Sequence, residues 1–273
     1  MIELYRTAED MAKDDLTKWR SLLLQLDLDL ECFCGPNYLQ YTHPVSTLNE
    51  AELEDFVSQQ GLVWPKGCLP TLTEAQLSDF ESQTGLILPQ GYREFCQVLG
   101  AGGFGLGGFF VDGPQLDNIG ANLNSNQGIL GACLETFKYD SPESSEIEEL
   151  LNNAYLFGGA PGRISLIFDL RTYREQDRSY DIYAIGCEDP FSCYLGRDFF
   201  EFVRDICMGD LAQEEFPELL GILGGFDKDD PRYKSTTFLL YPVLSKLPDE
   251  EREECEIEEE DEDEDFETDY WLT

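Results

Sequence analysis

The apolar positions near the start of the chain change from a helical period to a strand period. Over residues 7–25, Trp19 and its apolar neighbours recur at helical spacing, which predicts an amphipathic helix. Over residues 26–32, leucine and cysteine alternate with acids, and a period of two predicts a half-buried strand. The turn sequence Gly35-Pro36-Asn37 then ends this strand. We therefore expect a helix followed by a strand at this end of the chain.

A duplicated segment follows. Residues 47–65 and 71–89 align without a gap at an offset of 24 residues and are identical at twelve of nineteen positions. Each copy has a threonine, an amphipathic stretch, a glycine (Gly61 or Gly85), a short apolar run and a proline. This order predicts a helix that stops at a left-handed glycine and leads into a short extended segment. Two copies are too few for a solenoid, so we interpret them as a duplicated helical element at the edge of one domain.

The rest of the chain carries shorter apolar runs. The predicted strands are residues 108–111, 165–170 and 180–185, the predicted helices are residues 92–99, 146–153 and 199–207, and residues 138–146 are predicted to form an exposed loop. Helices before strands and a helix behind them predict an α+β fold. We expect helices at the N-terminal side to pack on a central, mainly antiparallel or mixed β-sheet, with a closing helix and an acidic disordered tail.

Charge narrows the range of partners. The 273 residues include 18 Lys and Arg against 56 Asp and Glu, a net charge of −38, while 42% of the residues are hydrophobic and can form a core. An acidic surface repels nucleic-acid phosphates and anionic lipids. We therefore expect no nucleic-acid partner and no membrane partner, and the charge favours a basic partner.

The acids are concentrated at the C-terminal end but are not confined to it. Residues 249–265 hold fourteen acids and one arginine, and such a block of like charge predicts disorder. The tail is either a solubilising polyanion or an arm that binds a basic surface. Residues 249–273 carry 16 acids and 1 base, so residues 1–248 retain a net charge of −23.

The sequence contains few motifs that are typical of a catalytic, cofactor-binding or metal-binding site. The glycines of residues 100–105 satisfy G-x-G-x-x-G, but they follow a predicted helix and precede a predicted strand, the reverse of the order in a dinucleotide site. We interpret them as a helix-to-strand turn. The single histidine, His43, is predicted to lie in a loop, without a recognisable nucleophile or metal-ligand motif around it. We assign no catalytic, cofactor-binding or metal-binding residue and expect no cofactor.

The cellular compartment is inferred from what the chain lacks. The N-terminus has no basic segment followed by an apolar stretch, and the sequence contains no apolar run of membrane-spanning length. A cytoplasmic location is expected, with the nine scattered cysteines as reduced thiols that mostly fill core positions.

Residues 71–210 carry a longer pattern. It begins with a helix, a Gly, a Leu-Pro pair and a Phe-bearing helix that ends at a glycine pair, and it closes with a Phe-x-x-Phe-type helix. This pattern resembles the SUKH superfamily, which contains fungal cell-wall synthesis regulators and many bacterial immunity proteins. Ala101 stands where family members often carry Asn. The motif positions, which are structural or face a partner, are Glu81, Gly85, Leu88, Pro89, Tyr92, Phe95, Gly102, Gly103, Asp169, Gly196, Phe199 and Phe202. Phe95 and Phe199 are expected to be buried.

The resemblance implies a non-enzymatic α+β domain that binds a protein partner. Together with the charge, it leads us to expect binding to a basic, nuclease-like toxin or regulation of a partner assembly. One alternative is a regulatory scaffold in cell-envelope synthesis, and another is a small-molecule-binding or hydrolytic enzyme that uses the Gly100–Gly108 and Gly158–Gly162 loops. The oligomeric state is left open.

These observations divide the chain into five predicted parts. They are an N-terminal helix and strand extension (residues 1–46), the duplicated helical element (47–70), the SUKH-like domain (71–210), a C-terminal extension (211–248) and the acidic tail (249–273).

Overall fold

The structure of the chain is a computed structural model. It describes residues 15–34, 37–44, 50–59, 62–63, 71–105, 108–116, 119–140, 144–160, 163–188, 191–209, 237–240 and 245–246. The helices are α1 (Asp15–Leu23), α2 (Glu50–Ser58), α3 (Glu74–Thr84), α4 (Gln90–Val98), α5 (Ile119–Asp140), α6 (Ser144–Asn152) and α7 (Phe199–Glu201), which continues as a π-helical segment (Phe202–Cys207). The strands are β1 (Asp27–Cys34), β2 (Asn37–Pro44), β3 (Leu62–Val63), β4 (Gly102–Phe104), β5 (Phe110–Val111), β6 (Ala154–Ala160), β7 (Ile164–Arg174), β8 (Ser179–Gly186), β9 (Ser192–Gly196), β10 (Thr237–Leu240) and β11 (Ser245–Lys246).

Most of these strands form one mixed sheet. In the described residues its order is β2-β1-β10-β4-β5-β6-β7-β8-β9. β1 and β10 run parallel, whereas the other neighbouring pairs are antiparallel. β3 and β11 pair separately. The predicted α+β class and the mainly antiparallel, mixed sheet are confirmed.

The predicted strands and helices have counterparts among the described residues, although residues 7–14 of the first predicted helix lie outside them. The strands β2, β4, β6, β9 and β10 were not predicted and complete the sheet. The position predicted for His43 is wrong: it lies in β2 opposite Leu28 of β1 rather than in a loop. β2 pairs antiparallel with β1 from Asn37 onward, which places the histidine on a strand. Gly35 and Pro36 of the predicted turn lie outside the described residues.

Helix α5 is the largest element that the pattern analysis missed. Its 22 residues contain three glycines and several asparagines, so its apolar face is poorly marked. The loop predicted at residues 138–146 is wrong at both ends, because α5 extends to Asp140 and α6 begins at Ser144. Residues 141–143 lie outside the described residues. The acidic tail lies outside the described residues.

The duplicated segment forms two helices, as predicted. α2 buries Leu53 and Val57, and α3 buries Leu77 and Phe80. In the second copy, Thr73 and Gln76 form a capping box, and Gly85 ends the helix with a φ of 72°. A residue with a side chain is disfavoured in that left-handed conformation, which explains the glycine. Gly61 of the first copy lies outside the described residues.

One aromatic core connects the sheet to its helices. Tyr92 and Phe95 of α4 pack against Phe199, with ring centroids 5.3 and 5.7 Å apart, and the predicted burial of Phe95 and Phe199 is confirmed. Trp19 of α1 and Phe238 of β10 belong to the same buried cluster. Segments on both sides of the predicted SUKH-like domain therefore share its core.

The glycine cluster after α4 forms the predicted helix-to-strand turn. Gly100 has a φ of 81°, and Gly102 begins β4. A Cβ atom on Gly102 would lie 2.4 Å from the carbonyl oxygen of Leu239 in β10. These glycines therefore allow a left-handed turn and close strand contact.

The expectation of reduced thiols is wrong for one cysteine pair. Cys133 of α5 and Cys187, which follows β8, form a disulfide across 54 residues of sequence. Among the described side chains, Cys96, Cys193 and Cys207 are not in a disulfide. The pairing was missed because the two cysteines meet only when α5 packs over the end of β8.

Candidate functional site

Most of the family-motif residues have structural positions. The motif side chains Leu88, Tyr92, Phe95, Phe199 and Phe202 are buried in the core. Pro89 is buried at the start of α4, and Gly102 and Gly103 lie in β4. Gly196 ends β9 with a φ of 122°. The motif therefore describes how the domain is built, and these positions do not converge on a reactive centre.

Glu81 differs from these motif residues, because its carboxylate forms hydrogen bonds and ion pairs at the end of α3. One carboxylate oxygen, Oε1, accepts hydrogen bonds from the Leu88 backbone N–H at 2.7 Å and from Arg178 at 2.9 Å. The other, Oε2, lies 2.7 Å from Nη1 of Arg93, whose side chain is 2% exposed. Arg93 also pairs with Glu74 at the start of α3. The motif glutamate thus joins α3, α4 and the β7–β8 hairpin.

Asp169 on β7 has a similar positioning role. Its carboxylate accepts two hydrogen bonds from Arg171, at 2.8 and 2.7 Å. Arg171 in turn lies 3.4 Å from Glu149 of α6. Asp169 is buried, so it holds the arginine that connects the sheet to α6.

A small cavity opens where α3 and α5 approach the sheet. It has a volume of about 110 Å³. Its walls include Phe80, Tyr92, Asp112, Asn122, Asn126 and Tyr155. We call it the Asp112 cavity. The phenol and phenyl rings are buried, whereas the two asparagines are half-buried and Asp112 is exposed.

The electrostatics of this cavity are set by desolvation. The Tyr92 hydroxyl donates a hydrogen bond to the backbone carbonyl of Asp112, and burial raises the pKa of Tyr92 and of Tyr155 well above the ordinary value for tyrosine. Although Asp112 as a residue is exposed, the surrounding protein desolvates its carboxyl group and raises its pKa to about 6. The Asp112 carboxylate therefore lies in a weakly solvated position beside aromatic rings.

A second, more open cavity of about 280 Å³ lies at the start of α4. It contains charges of both signs, contributed by Lys18, Glu94, Asp177, Arg178, Arg197 and Asp198. Its cations are paired with acids: Lys18 lies 3.6 Å from Glu94, and Arg197 lies 2.6 Å from Asp181. Asp198 caps α7 by accepting hydrogen bonds from two backbone N–H groups. These groups connect α1, α4 and the sheet, which gives this cavity a structural explanation.

The glycine segments suggested for an enzyme site lie in the sheet. Gly158 and Gly159 of β6 pair with Val111 and Phe110 of β5. A Cβ atom on Gly158 would lie 2.2 Å from the Phe110 carbonyl oxygen. The described parts of these segments therefore use glycine for close strand pairing and form no wall of the two cavities above.

The described residues contain no cluster of three or more histidine, cysteine or acidic side chains placed to hold a metal ion. They also contain no helix with both the length and the apolar character needed to cross a bilayer.

Sequence reasoning missed most of the Asp112 cavity. Of its residues, Tyr92 belonged to the motif, whereas Asp112, Asn122, Asn126 and Tyr155 were not singled out. They come from three separate parts of the chain, and the asparagines lie on the unpredicted α5. An isolated Asp or Asn in a strongly acidic chain carries no local signal of a site.

Comparison with known proteins agrees with the sequence motif. Residues 71–205, about half of the chain, match the profile of the SMI1 / KNR4 family (SUKH-1). No curated protein and no solved structure matches the chain significantly. The matched segment runs from the residues before α3 into the π-helical segment after α7, and it contains all twelve motif positions. Residues 71–205 therefore form a SUKH domain of the SMI1 / KNR4 family.

Proposed function

We propose that this chain is a non-enzymatic binding protein that recognises a basic protein, with neutralisation of a nuclease-like toxin as its role. The observation that carries the proposal is the combination of a SUKH domain with a net charge of −23 that remains without the acidic tail. A basic active-site surface that normally binds phosphate would be attracted to such a domain. Bound acids would then occupy the surface that nucleic acid needs.

The distribution of charge in the described structure supports this interpretation. Helices α2, α3 and α6 contain acids and no basic residue. On α2, Glu52, Glu54 and Asp55 are exposed. Many arginines elsewhere are already paired within the chain, as in the Arg163–Glu188 and Arg174–Asp177 pairs. The exposed acids of α2 therefore present negative charge to an approaching partner.

The proposal is tested by capture followed by an activity assay. The immobilised full-length chain is exposed to native lysate at about 50 mM salt, and retained proteins are eluted at about 200 mM, because this range weakens charge-driven contacts. Each retained basic protein is then purified, and its nuclease activity is measured with and without the chain. We expect stoichiometric inhibition and a Kd that rises with salt.

Charge-reversal variants provide the matched control. Replacing Glu52 and Glu54 by lysine changes α2, and replacing Glu146 and Glu148 by lysine makes the same charge change on α6; all four side chains are exposed. We expect one variant to weaken binding more than the other, because one face contacts the partner. Equal affinity of wild type and both variants, or a Kd independent of salt, would contradict the electrostatic mechanism. Retention of cell-envelope synthesis proteins without nuclease inhibition would instead support the regulatory alternative.

A further inference from the structure

The Asp112 cavity combines features that suit one kind of side chain. Its floor is aromatic, with the Phe80 and Tyr155 rings packed edge to face at 6.3 Å between centroids. Asp112, Asn122 and Asn126 also line the cavity. Among the described residues that line it, none has a positive charge. The cavity therefore offers hydrogen-bond acceptors and ring faces to a cation.

We propose that the Asp112 cavity binds the guanidinium group of an arginine side chain that projects from the basic partner protein. This inference deepens the proposed function, on which the identity of the partner as a protein rests. The planar guanidinium stacks on an aromatic ring and donates several hydrogen bonds in one plane. In the cavity these hydrogen bonds would go to the Asp112 carboxylate and to the amide oxygens of Asn122 and Asn126.

Size and charge exclude other occupants. A volume of about 110 Å³ accommodates the end of one side chain but no nucleotide or folded segment. A phosphate or carboxylate would face Asp112 without a cation among the described residues of the walls. An aliphatic side chain would place apolar surface beside the Asp112 carboxylate and could not pair with it. Lysine matches the charge but lacks the planar set of donors, so we expect arginine to bind more tightly.

Binding at this cavity should depend on pH through Asp112. The titratable groups beside its carboxyl are Tyr92 of α4 and Tyr155 of β6, and burial raises the pKa of both. They therefore stay neutral near pH 6, where Asp112 itself titrates. Arginine stays protonated throughout. The affinity for arginine should fall by about tenfold from pH 7.5 to pH 5 as Asp112 takes up a proton.

The test uses blocked amino acids as probes for the full-length chain. N-acetyl-arginine N-methylamide is titrated at pH 7.5 while the backbone amide resonances of the protein are followed by NMR. We expect saturable shifts at Asp112, Asn122 and Asn126, weaker binding of the lysine analogue, and no saturable shift with the citrulline analogue, which is uncharged. Asp112→Asn should reduce the affinity at least tenfold.

A matched variant and a matched ligand separate this site from general charge. Glu175→Gln removes one exposed acid from the β7–β8 turn, outside the cavity, and should leave the affinity unchanged. Equal binding of the arginine and citrulline probes, or shifts that survive in Asp112→Asn, would overturn the inference. So would free arginine binding ten times more tightly than the blocked probe, because the ligand would then be a small molecule. If the arginine probe does not bind, this inference is wrong, but the capture of a basic protein still supports the proposed function. If the probe binds and no basic protein is captured, only the proposed function is overturned.

Discussion

At the scale of single residues, Glu81 shows that an acid in a family motif can have a structural role. Its carboxylate contacts two arginines and one backbone N–H. Glu81→Ala would leave the buried Arg93 with one fewer acid and the Leu88 N–H without its acceptor. Because Glu81 is 20% exposed, we expect a loss of about 2–3 kcal/mol in the free energy of unfolding, below the range for a fully buried pair.

Chemical denaturation measures this loss. Glu81→Gln serves as the control, because it keeps an acceptor for Leu88 while removing the charge. An alanine variant as stable as wild type would show that Glu81 is not a structural residue, and its position near Arg178 would then have to be considered for partner binding.

The ionised form of Asp112 should destabilise the folded state, whereas an ion-paired acid stabilises it. Its pKa is raised in the folded state to about 6 from 3.8, so its contribution favours folding below about pH 4 and is lost as pH rises through 6. Asparagine cannot ionise. Asp112→Asn should therefore be more stable than wild type above pH 6, with a smaller difference at pH 5.

Denaturation curves at pH 5 and pH 7.5 test this expectation, and Glu175→Gln is again the matched variant, because it removes an exposed acid outside the cavity. A stability difference for Asp112→Asn that does not grow with pH would contradict the raised pKa. A gain in stability combined with lost arginine binding would show that the acid is retained for binding.

At the scale of elements, replacing two different glycines by alanine should change stability in opposite directions. Gly158 lies in β6, where a Cβ atom would approach the Phe110 carbonyl oxygen to 2.2 Å, whereas Gly128 lies in α5 with nothing within 4 Å. Gly158→Ala should destabilise by about 1–3 kcal/mol through overpacking. Gly128→Ala should stabilise by about 0.5–1 kcal/mol, because alanine favours a helix interior.

Thermal unfolding of both variants checks the pair, with wild type as the reference. A tolerated alanine at position 158 would mean that β5 and β6 do not pair in the observed register. A destabilising alanine at position 128 would mean that this face of α5 is covered by another segment.

The Cys133–Cys187 disulfide ties α5 to the end of β8. Because it closes 54 residues, its loss should cost about 2–4 kcal/mol. Cys133→Ser should therefore lower the Tm, and reductant should lower the Tm of wild type but not of this variant. Cys193→Ser, which removes a half-buried thiol that is not in a disulfide, is the control. Thiol titration that finds the same number of thiols before and after reduction would contradict the disulfide.

At the scale of the whole molecule, the acidic tail and the folded part should behave independently. A chain lacking residues 249–273 loses 16 acids and 1 base. Such a block of like charge cannot bury enough apolar surface to fold. We expect its deletion to change the Tm by less than about 2 °C, which corresponds to under 1 kcal/mol. A loss of several degrees, measured by calorimetry, would show that the tail packs on the fold.

At the same scale, one sheet and one core connect segments that the sequence analysis assigned to separate parts. β10 lies between β1 and β4 in the sheet, and Trp19, Phe95 and Phe238 belong to one buried cluster. The boundaries at residues 46, 70, 210 and 248 remain predictions about sequence organisation. The SUKH domain thus receives strands and core side chains from both sides of residues 71–205.

The sequence alone determined those features that depend on local periodicity and local backbone geometry. The duplicated helix with its glycine stop, the aromatic face of α4 and the α+β class were read from spacing, since period and turn residues act over a few positions. The SUKH motif was readable for the same reason, because its residues cap helices or fill the core. The charge that supports a basic partner needed no structure at all.

Only the tertiary structure decided which distant residues meet. β2 and β10 became strands by pairing with β1, α5 became a helix despite its glycines, and Cys133 reached Cys187 across a long stretch of chain. The Asp112 cavity likewise collects α3, α5 and β6 around one acid. Such contacts form because packing buries apolar surface between remote segments. The free energy of this burial cannot be read from the local sequence pattern.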